Sequence, residues 1–216
     1  HYTVDAHILR ALEWMHVLLY GQPERVVGQL DADQAWAVHR LGEVEGLREI
    51  KNLEGREPAA KIAKQFANHR VLLVAILLHD MMKGGEGDHS VIGARLARDV
   101  CPRLGLLSEE TEFVSWLILE HLSMSDIAFK RDLEDAQTIE QFADRVHDIE
   151  HLQALYILTV CDISAVGPDT WTTWKAALLS QLYRATQSRL LTGKKLPSAR
   201  ARARARRIEL QSALKN

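Results

Sequence analysis

The chain has 216 residues, 47% of them hydrophobic, with a formal net charge of −2 at pH 7. That balance fits a globular domain with room for a good core, and the longest apolar run is far shorter than the ~20 residues a bilayer span needs, so no membrane partner is expected. No basic start with a small-residue cleavage site marks a signal peptide, and Cys101 and Cys161 stand apart without a C-x-x-C, which points to a reducing, cytoplasmic setting.

The chain opens on His1-Tyr2-Thr3-Val4 without an initiator Met and reads as a piece of a longer protein. Thr3 or Asp5 can cap a helix over 6–19. Leu12, Met15, Leu18 and Leu19 form its apolar face. His7 shares helical spacing with Ala11, Trp14 and Leu18, so it should point inward. Gly21-Gln22-Pro23 ends the helix. Residues 32–54 are polar, with moderate periodicity through Val38, Leu41 and Val44, and predict one or two helices outside the core. Gly55 and Pro58 break that stretch, and a short helix follows over 59–66.

Residues 71–80 are the stretch around which the chain is expected to organise. Eight apolar residues, from Val71 to Leu78, run directly into His79-Asp80 and then Met81-Met82-Lys83-Gly84. The run has no period, so it suits a buried strand or a helix surrounded by others. No alternating partner strand with a hairpin turn occurs anywhere, which favours the buried helix.

After the turn at Gly84-Gly85-Glu86-Gly87, a helix is expected over 88–98, with Gly93 and Ala94 small enough to admit a neighbouring helix. Residues 102–105 read as a loop. Ser108 is the expected cap of the next helix, with Glu109 and Glu110 in its first turn. Phe113, Trp116, Leu117 and Leu119 should bury its inner side before it ends near Glu120-His121. Residues 123–132 read as a polar linker anchored by Phe129. Asp135 caps a short helix to 143. Glu150 begins an apolar helix through Leu152, Leu155, Tyr156, Leu158 and Val160 to Cys161-Asp162, and Gly167-Pro168 closes it. A long amphipathic helix is expected over 171–191, with Trp174, Leu178, Leu182 and Ala185 on one side. The predicted fold class is an all-α helical bundle.

The tail is different in character. From Lys194 onward the chain holds eight of its 27 Lys and Arg and one of its 29 acidic residues, leaving 19 basic and 28 acidic residues before it. Arg200, Arg202, Arg204 and Arg206 alternate with Ala. Both residue types favour helix, and the stretch reads as a solvated linker helix. An arm that neutralises phosphates is the other reading. The acidic body argues against nucleic acid as the main partner.

His7, His79, Asp80 and Asp162 share one peculiarity. Each sits on, or at the end of, a segment that is otherwise apolar. A buried carboxylate is costly unless it is paired or binds metal, and Asp162 has no Lys or Arg within four residues. Imidazole and carboxylate together suit Mn, Fe, Zn or Mg. His89 and His121 add two further candidates, enough for two ions. Hydrogen-bonded core histidines and ordinary aspartate caps would account for the same residues. His16, His39, His69, His147 and His151 fit that plainer role.

The ordered set extends further. His1-Tyr2-Thr3-Val4-Asp5-Ala6-His7 is followed by Leu77-Leu78-His79-Asp80-Met81-Met82-Lys83-Gly84 and by Gly87-Asp88-His89-Ser90 with Gly93-Ala94. Trp116-Leu117, Glu120-His121-Leu122 and Met124-Ser125 come next. Leu158-Thr159-Val160-Cys161-Asp162-Ile163 closes the set, with Ala165, Trp171, Trp174-Lys175 and Leu182-Tyr183. This order resembles the HD superfamily of metal-dependent phosphohydrolases. Within it, the order resembles the HD domain of the bacterial bifunctional PII uridylyltransferase/uridylyl-removing enzymes. The likeness covers nearly the whole chain and is weakest over 24–68.

The resemblance implies a hydrolase unit over 1–197 and, over 198–216, a linker toward C-terminal ACT domains. A nucleotidyltransferase domain would precede it. It implies hydrolysis of the phosphodiester between UMP and a tyrosine of the PII signal protein, with UMP as product. It also implies one or two divalent ions, Mn or Mg first and Fe or Zn second. His7, His79, Asp80 and Asp162 would hold a first ion and His89 and His121 a second, or phosphate if only one ion binds, with Asp80 bridging and Lys83 assisting at phosphorus. The chain departs from the family pattern at Glu120, where a first histidine usually precedes His121; Glu120 would bind metal as a carboxylate or point to solvent. Other HD hydrolases act on guanosine tetraphosphate, a cyclic dinucleotide or a deoxynucleotide. A non-catalytic relay module for glutamine sensing is the remaining alternative.

Overall fold

The computed structural model describes residues 3–21, 53–167 and 169–193, and within them the chain forms nine α-helices and one 3-10 turn, with no strand. Residues 32–52 of the stretch expected to form one or two helices over 32–54, and the arginine-rich tail, lie outside the described residues. In chain order the helices are α1 (Val4–Tyr20), α2 (Glu57–Gln65), α3 (His69–Leu78), α4 (His89–Val100), α5 (Ser108–Glu120), α6 (Ser123–Lys130), α7 (Ala136–Val146), α8 (Ile149–Val166) and α9 (Thr173–Thr192). The 3-10 turn, Pro102–Leu104, occupies the expected loop after α4.

Local chemistry sets most of the boundaries. The Asn68 carboxamide accepts from Val71 N, Asp88 from Ser90 N, Asp135 from Gln137 N, Asp148 from His151 N and Thr172 from Lys175 N. Each such cap satisfies a helix N–H that would otherwise lack a partner, worth about 1 kcal/mol. The cap of α5 differs from expectation. Leu107 holds the N-cap position and Ser108 is already helical. The Glu110 carboxylate does the work that Ser108 was expected to do, accepting from Leu107 N at 2.8 Å and from Asn68 Nδ2 at 3.0 Å, so one side chain ties the starts of α3 and α5 together.

Helix α8 is the axis of the bundle. It contacts α1, α2, α3, α5, α6, α7 and α9, and from Ala154 to Cys161 every residue is buried. It is long and apolar enough to cross a membrane by length and composition, yet 67% of it is buried inside the protein. The stretch expected to organise the chain, α3, packs against α1, α5 and α8 on one side only. Leu73 and Leu77, one turn apart, remain 41% and 40% exposed. A run with no period conceals which residues face solvent, because every position is equally apolar.

Two further expectations are corrected. Residues 123–132 are not a linker: α6 occupies most of them and buries Ser123, Met124 and Ala128 against the bundle. On α9 the buried side is Ala176, Leu179, Leu182, Tyr183 and Thr186. Trp174 lies outside it, 61% exposed, with its ring stacked on Phe129 at 6.0 Å. The prediction about small residues on α4 holds. A Cβ on Gly93 would stand 3.0 Å from Ile118 Cγ2, and Ser115 Oγ donates to Ala94 O, so α4 lies tight against α5.

Candidate metal centre

Six side chains from five helices meet at one end of α8. His7 comes from the second turn of α1, and His79 is the C-cap residue of α3 with Asp80 next to it. His89 opens α4, His121 is the C-cap residue of α5, and Asp162 lies one turn before the end of α8. They are the six residues singled out as ligands in the sequence. They fall into two groups of three, His7 with His79 and Asp162, and Asp80 with His89 and His121, each with its donor atoms within 4.8 Å of one another.

The distances describe two neighbouring groups of donor atoms. His7 Nε2 lies 3.0 Å from Asp162 Oδ1 and 3.3 Å from His79 Nε2, and His79 Nε2 is 3.7 Å from the same carboxylate oxygen. Asp80 stands between the groups. Its Oδ2 is 3.6 Å from His7 Nε2, while its Oδ1 is 3.6 Å from His89 Nε2 and 3.8 Å from His121 Nε2. His79, Asp80 and His121 are at most 2% exposed, and the side chains of Asp162 and His89 are 16% and 24% exposed, so the site opens toward those two.

Two of the rings are fixed in the same way. His79 Nδ1 donates to Ile76 O and His121 Nδ1 to Ile118 O, each at 2.7 Å. A neutral imidazole that donates through Nδ1 presents a bare lone pair at Nε2, which is the tautomer a metal ligand requires. The sequence carries a signal for this that the motif reading passed over. Ile76-Leu77-Leu78-His79 and Ile118-Leu119-Glu120-His121 are the same pattern, with the histidine three residues beyond the carbonyl that orients it.

The donor set fits a divalent cation on its own chemistry. Asp80 Oδ1, His89 Nε2 and His121 Nε2 are buried and have no hydrogen-bond partner. Each such orphan costs about 1–3 kcal/mol, and all three belong to one group and converge. In the other group, two imidazole nitrogens and a carboxylate oxygen crowd together, an arrangement that needs a proton or a cation between them. Burial opposes charge on Asp162, but the His7 and His79 imidazoles beside it hold its carboxyl well below the usual carboxylate range. Burial also opposes charge on His79, yet Asp162 and Asp80 together raise its proton affinity. Burial dominates at His121 and lowers its pKa.

Lys83 and Glu120 have different places. Lys83 Nζ lies 2.6 Å from Asp80 Oδ2, and its side chain is 55% exposed, so it reaches the site from the solvent side. Glu120 is turned away from the ligand groups, with Oε2 3.4 Å from Arg145 Nη1. A separate groove of about 640 Å³ runs between α4 and α5, lined by Arg95, Phe113, Trp116 and His151 among others; none of the six candidate ligands lines it.

An all-helical core that gathers a His-Asp pair with histidines and an aspartate from surrounding helices defines a class of metal-binding domain. The profile of the HD domain family matches residues 38–155, more than half of the chain, and the chain belongs to that family. It is 41% identical over 209 residues, 97% of its length, to a bifunctional uridylyltransferase/uridylyl-removing enzyme of Zymomonas mobilis. It is 46% identical over 156 residues to the enzyme of the same name from Azospirillum brasilense, and 42% identical over 179 residues to that of Ruegeria pomeroyi. These alignments cover 72% and 82% of the chain. The chain spans only about a fifth of the length of these relatives, 19%, 17% and 20% respectively.

Proposed function

We propose that residues 1–197 form a metal-dependent phosphodiesterase unit that removes UMP from a uridylylated tyrosine of the PII signal protein, in the cytoplasm. The observation that carries this reading is the pair of ligand groups with Asp80 between them and Lys83 reaching Asp80 from the solvent side, in an HD-family chain whose relatives are named for uridylyl removal. His7, His79 and Asp162 would hold one divalent ion and Asp80, His89 and His121 another, with manganese or magnesium as the first choice. A bound ion would supply Lewis acidity, making water more acidic and neutralising charge at phosphorus.

The chain's own groups account for the remaining roles. Water attacks phosphorus, the bond from phosphorus to the tyrosyl oxygen breaks, and a proton goes to the leaving tyrosinate. Asp80, which lies between the two groups, would orient the water. The Lys83 ammonium is placed to hold a non-bridging oxygen or to give a proton to the tyrosinate. Its exposure suits a protein-borne substrate, whose tyrosine must come in from solvent.

The test is UMP release from uridylylated PII by this chain with manganese. A parallel panel holds guanosine tetraphosphate, a cyclic dinucleotide and a deoxynucleotide. Release from PII alone is the expected result, and preference for a panel nucleotide would reassign the substrate. Asp80→Ala should keep the helical circular dichroism spectrum but lose both metal and activity. Undiminished hydrolysis in that variant would overturn the assignment.

A further inference from the structure

We propose that Arg56, together with Trp14 and Ser164, positions the His7, His79 and Asp162 group and leaves the other ligand group untouched. This rests on the metal-binding reading above. Arg56 sits at the start of α2 and is 8% exposed. Its guanidinium carbon lies 4.1 Å from the ring centroid of Trp14 on one side and 4.6 Å from that of Trp171 on the other. A cation held between two aromatic faces and shielded from water is strongly retained.

The hydrogen bonds turn this sandwich into a clasp. Arg56 Nε donates to Ser164 Oγ at 2.9 Å, and Trp14 Nε1 donates to Ser164 O at 3.0 Å. Arg56 Nη1 and Trp171 Nε1 both donate to Glu54 O, at 3.2 and 3.1 Å. The segment carrying Glu54 and Arg56 is seated closely: a Cβ on Gly55 would stand 2.9 Å from Ala176 Cβ. The circuit therefore joins α1, the entry to α2, the end of α8 and the entry to α9.

Its position gives it a specific role. Trp14 lies two turns along α1 from His7, and Ser164 follows Asp162 by two residues on α8. His7 and Asp162 meet at 3.0 Å only while α1 and α8 hold their relative height and rotation, and the clasp joins those same two helices. Asp80, His89 and His121 come from α3, α4 and α5 and their ends, none of which contributes a residue to the clasp. The coupling is thus one-sided.

Manganese titration calorimetry in two backgrounds tests this. In His89→Ala, where only the first group is intact, Arg56→Met should weaken manganese binding about tenfold or more, the range seen when residues supporting a ligand are removed. In His7→Ala, where only the second group is intact, the same change should alter affinity by less than about twofold. Ser164→Ala keeps the sandwich and loses one bond, so it should give a smaller loss in the same direction, and it replaces Arg56→Met if that variant does not fold. Unchanged binding in the first background, or equal weakening in both, would overturn the proposal. Absence of manganese binding by the unsubstituted chain would instead remove the metal reading on which it depends.

Discussion

At the residue scale, protons and a divalent ion compete for the same imidazole nitrogens, so metal affinity must fall as pH falls. Manganese titrations at stepped pH should show weaker binding on acidification, and binding independent of pH would mean that the imidazoles are not ligands. Lys83 makes a separate prediction. Lys83→Ala should lower turnover on the order of a hundredfold, as loss of one group stabilising the transition state does, while manganese affinity stays near that of the parent. Loss of the metal would show that Lys83 serves the ligand Asp80 and not the phosphoryl group. His7, His79, Asp80 and Asp162 stood out in the sequence as polar residues on apolar segments, and His89 and His121 were added to them as further candidates. The resemblance implied two sets, but not that Asp80 sides with His89 and His121, because which atoms face each other depends on how the helices that carry them cross.

At the element scale, the legible helices were those with a strong cap and a breaker. Asp135 marks the start of α7, and Gly167 and Gly193 the ends of α8 and α9, whereas Asp148, the cap of α8, lies two residues before the expected start at Glu150. Helix α6 escaped because its sequence, Ser-Met-Ser-Asp-Ile-Ala-Phe-Lys, looks polar while only its Ser123, Met124 and Ala128 side is buried. The buried face of α9 was misread for a related reason. Trp174 stacks on Phe129 at the surface, so an apolar residue did not mark the core. Gly55 was read as a breaker, but the structure asks more of it. Its φ is +73°, a conformation that side chains disfavour, and a Cβ would crowd both Ala176 and Trp171. Gly55→Ala should destabilise the protein by about 1–3 kcal/mol, read as a shift in denaturant midpoint. A midpoint at or above that of the parent would mean that α9 yields at Ala176.

At the scale of the whole molecule, α8 does two jobs at once. Most of it is the apolar axis on which seven other helices pack, and its final turns deliver Asp162 to the ligands and Ser164 to the clasp. The all-α class could be read from helical periodicity and the lack of alternating strands. The identity of the axis could not, because α3 and α8 are both apolar runs and only the three-dimensional arrangement shows which one is surrounded.

His7 and Asp162 lie near opposite ends of the described chain, and His79 lies between them. An ion held by all three would fasten α1 to α8 as a reversible crosslink, and that fastening could not form until the chain had closed over most of its length. The closure entropy must be met before the ion contributes anything. Manganese should therefore leave the folding rate nearly unchanged and slow unfolding instead, so that its stabilisation is kinetic persistence of the native state. Stopped-flow measurements with and without the ion would show a fixed folding limb and a lowered unfolding limb. Faster folding with manganese would mean that the ligands gather early and that the metal helps to nucleate the bundle.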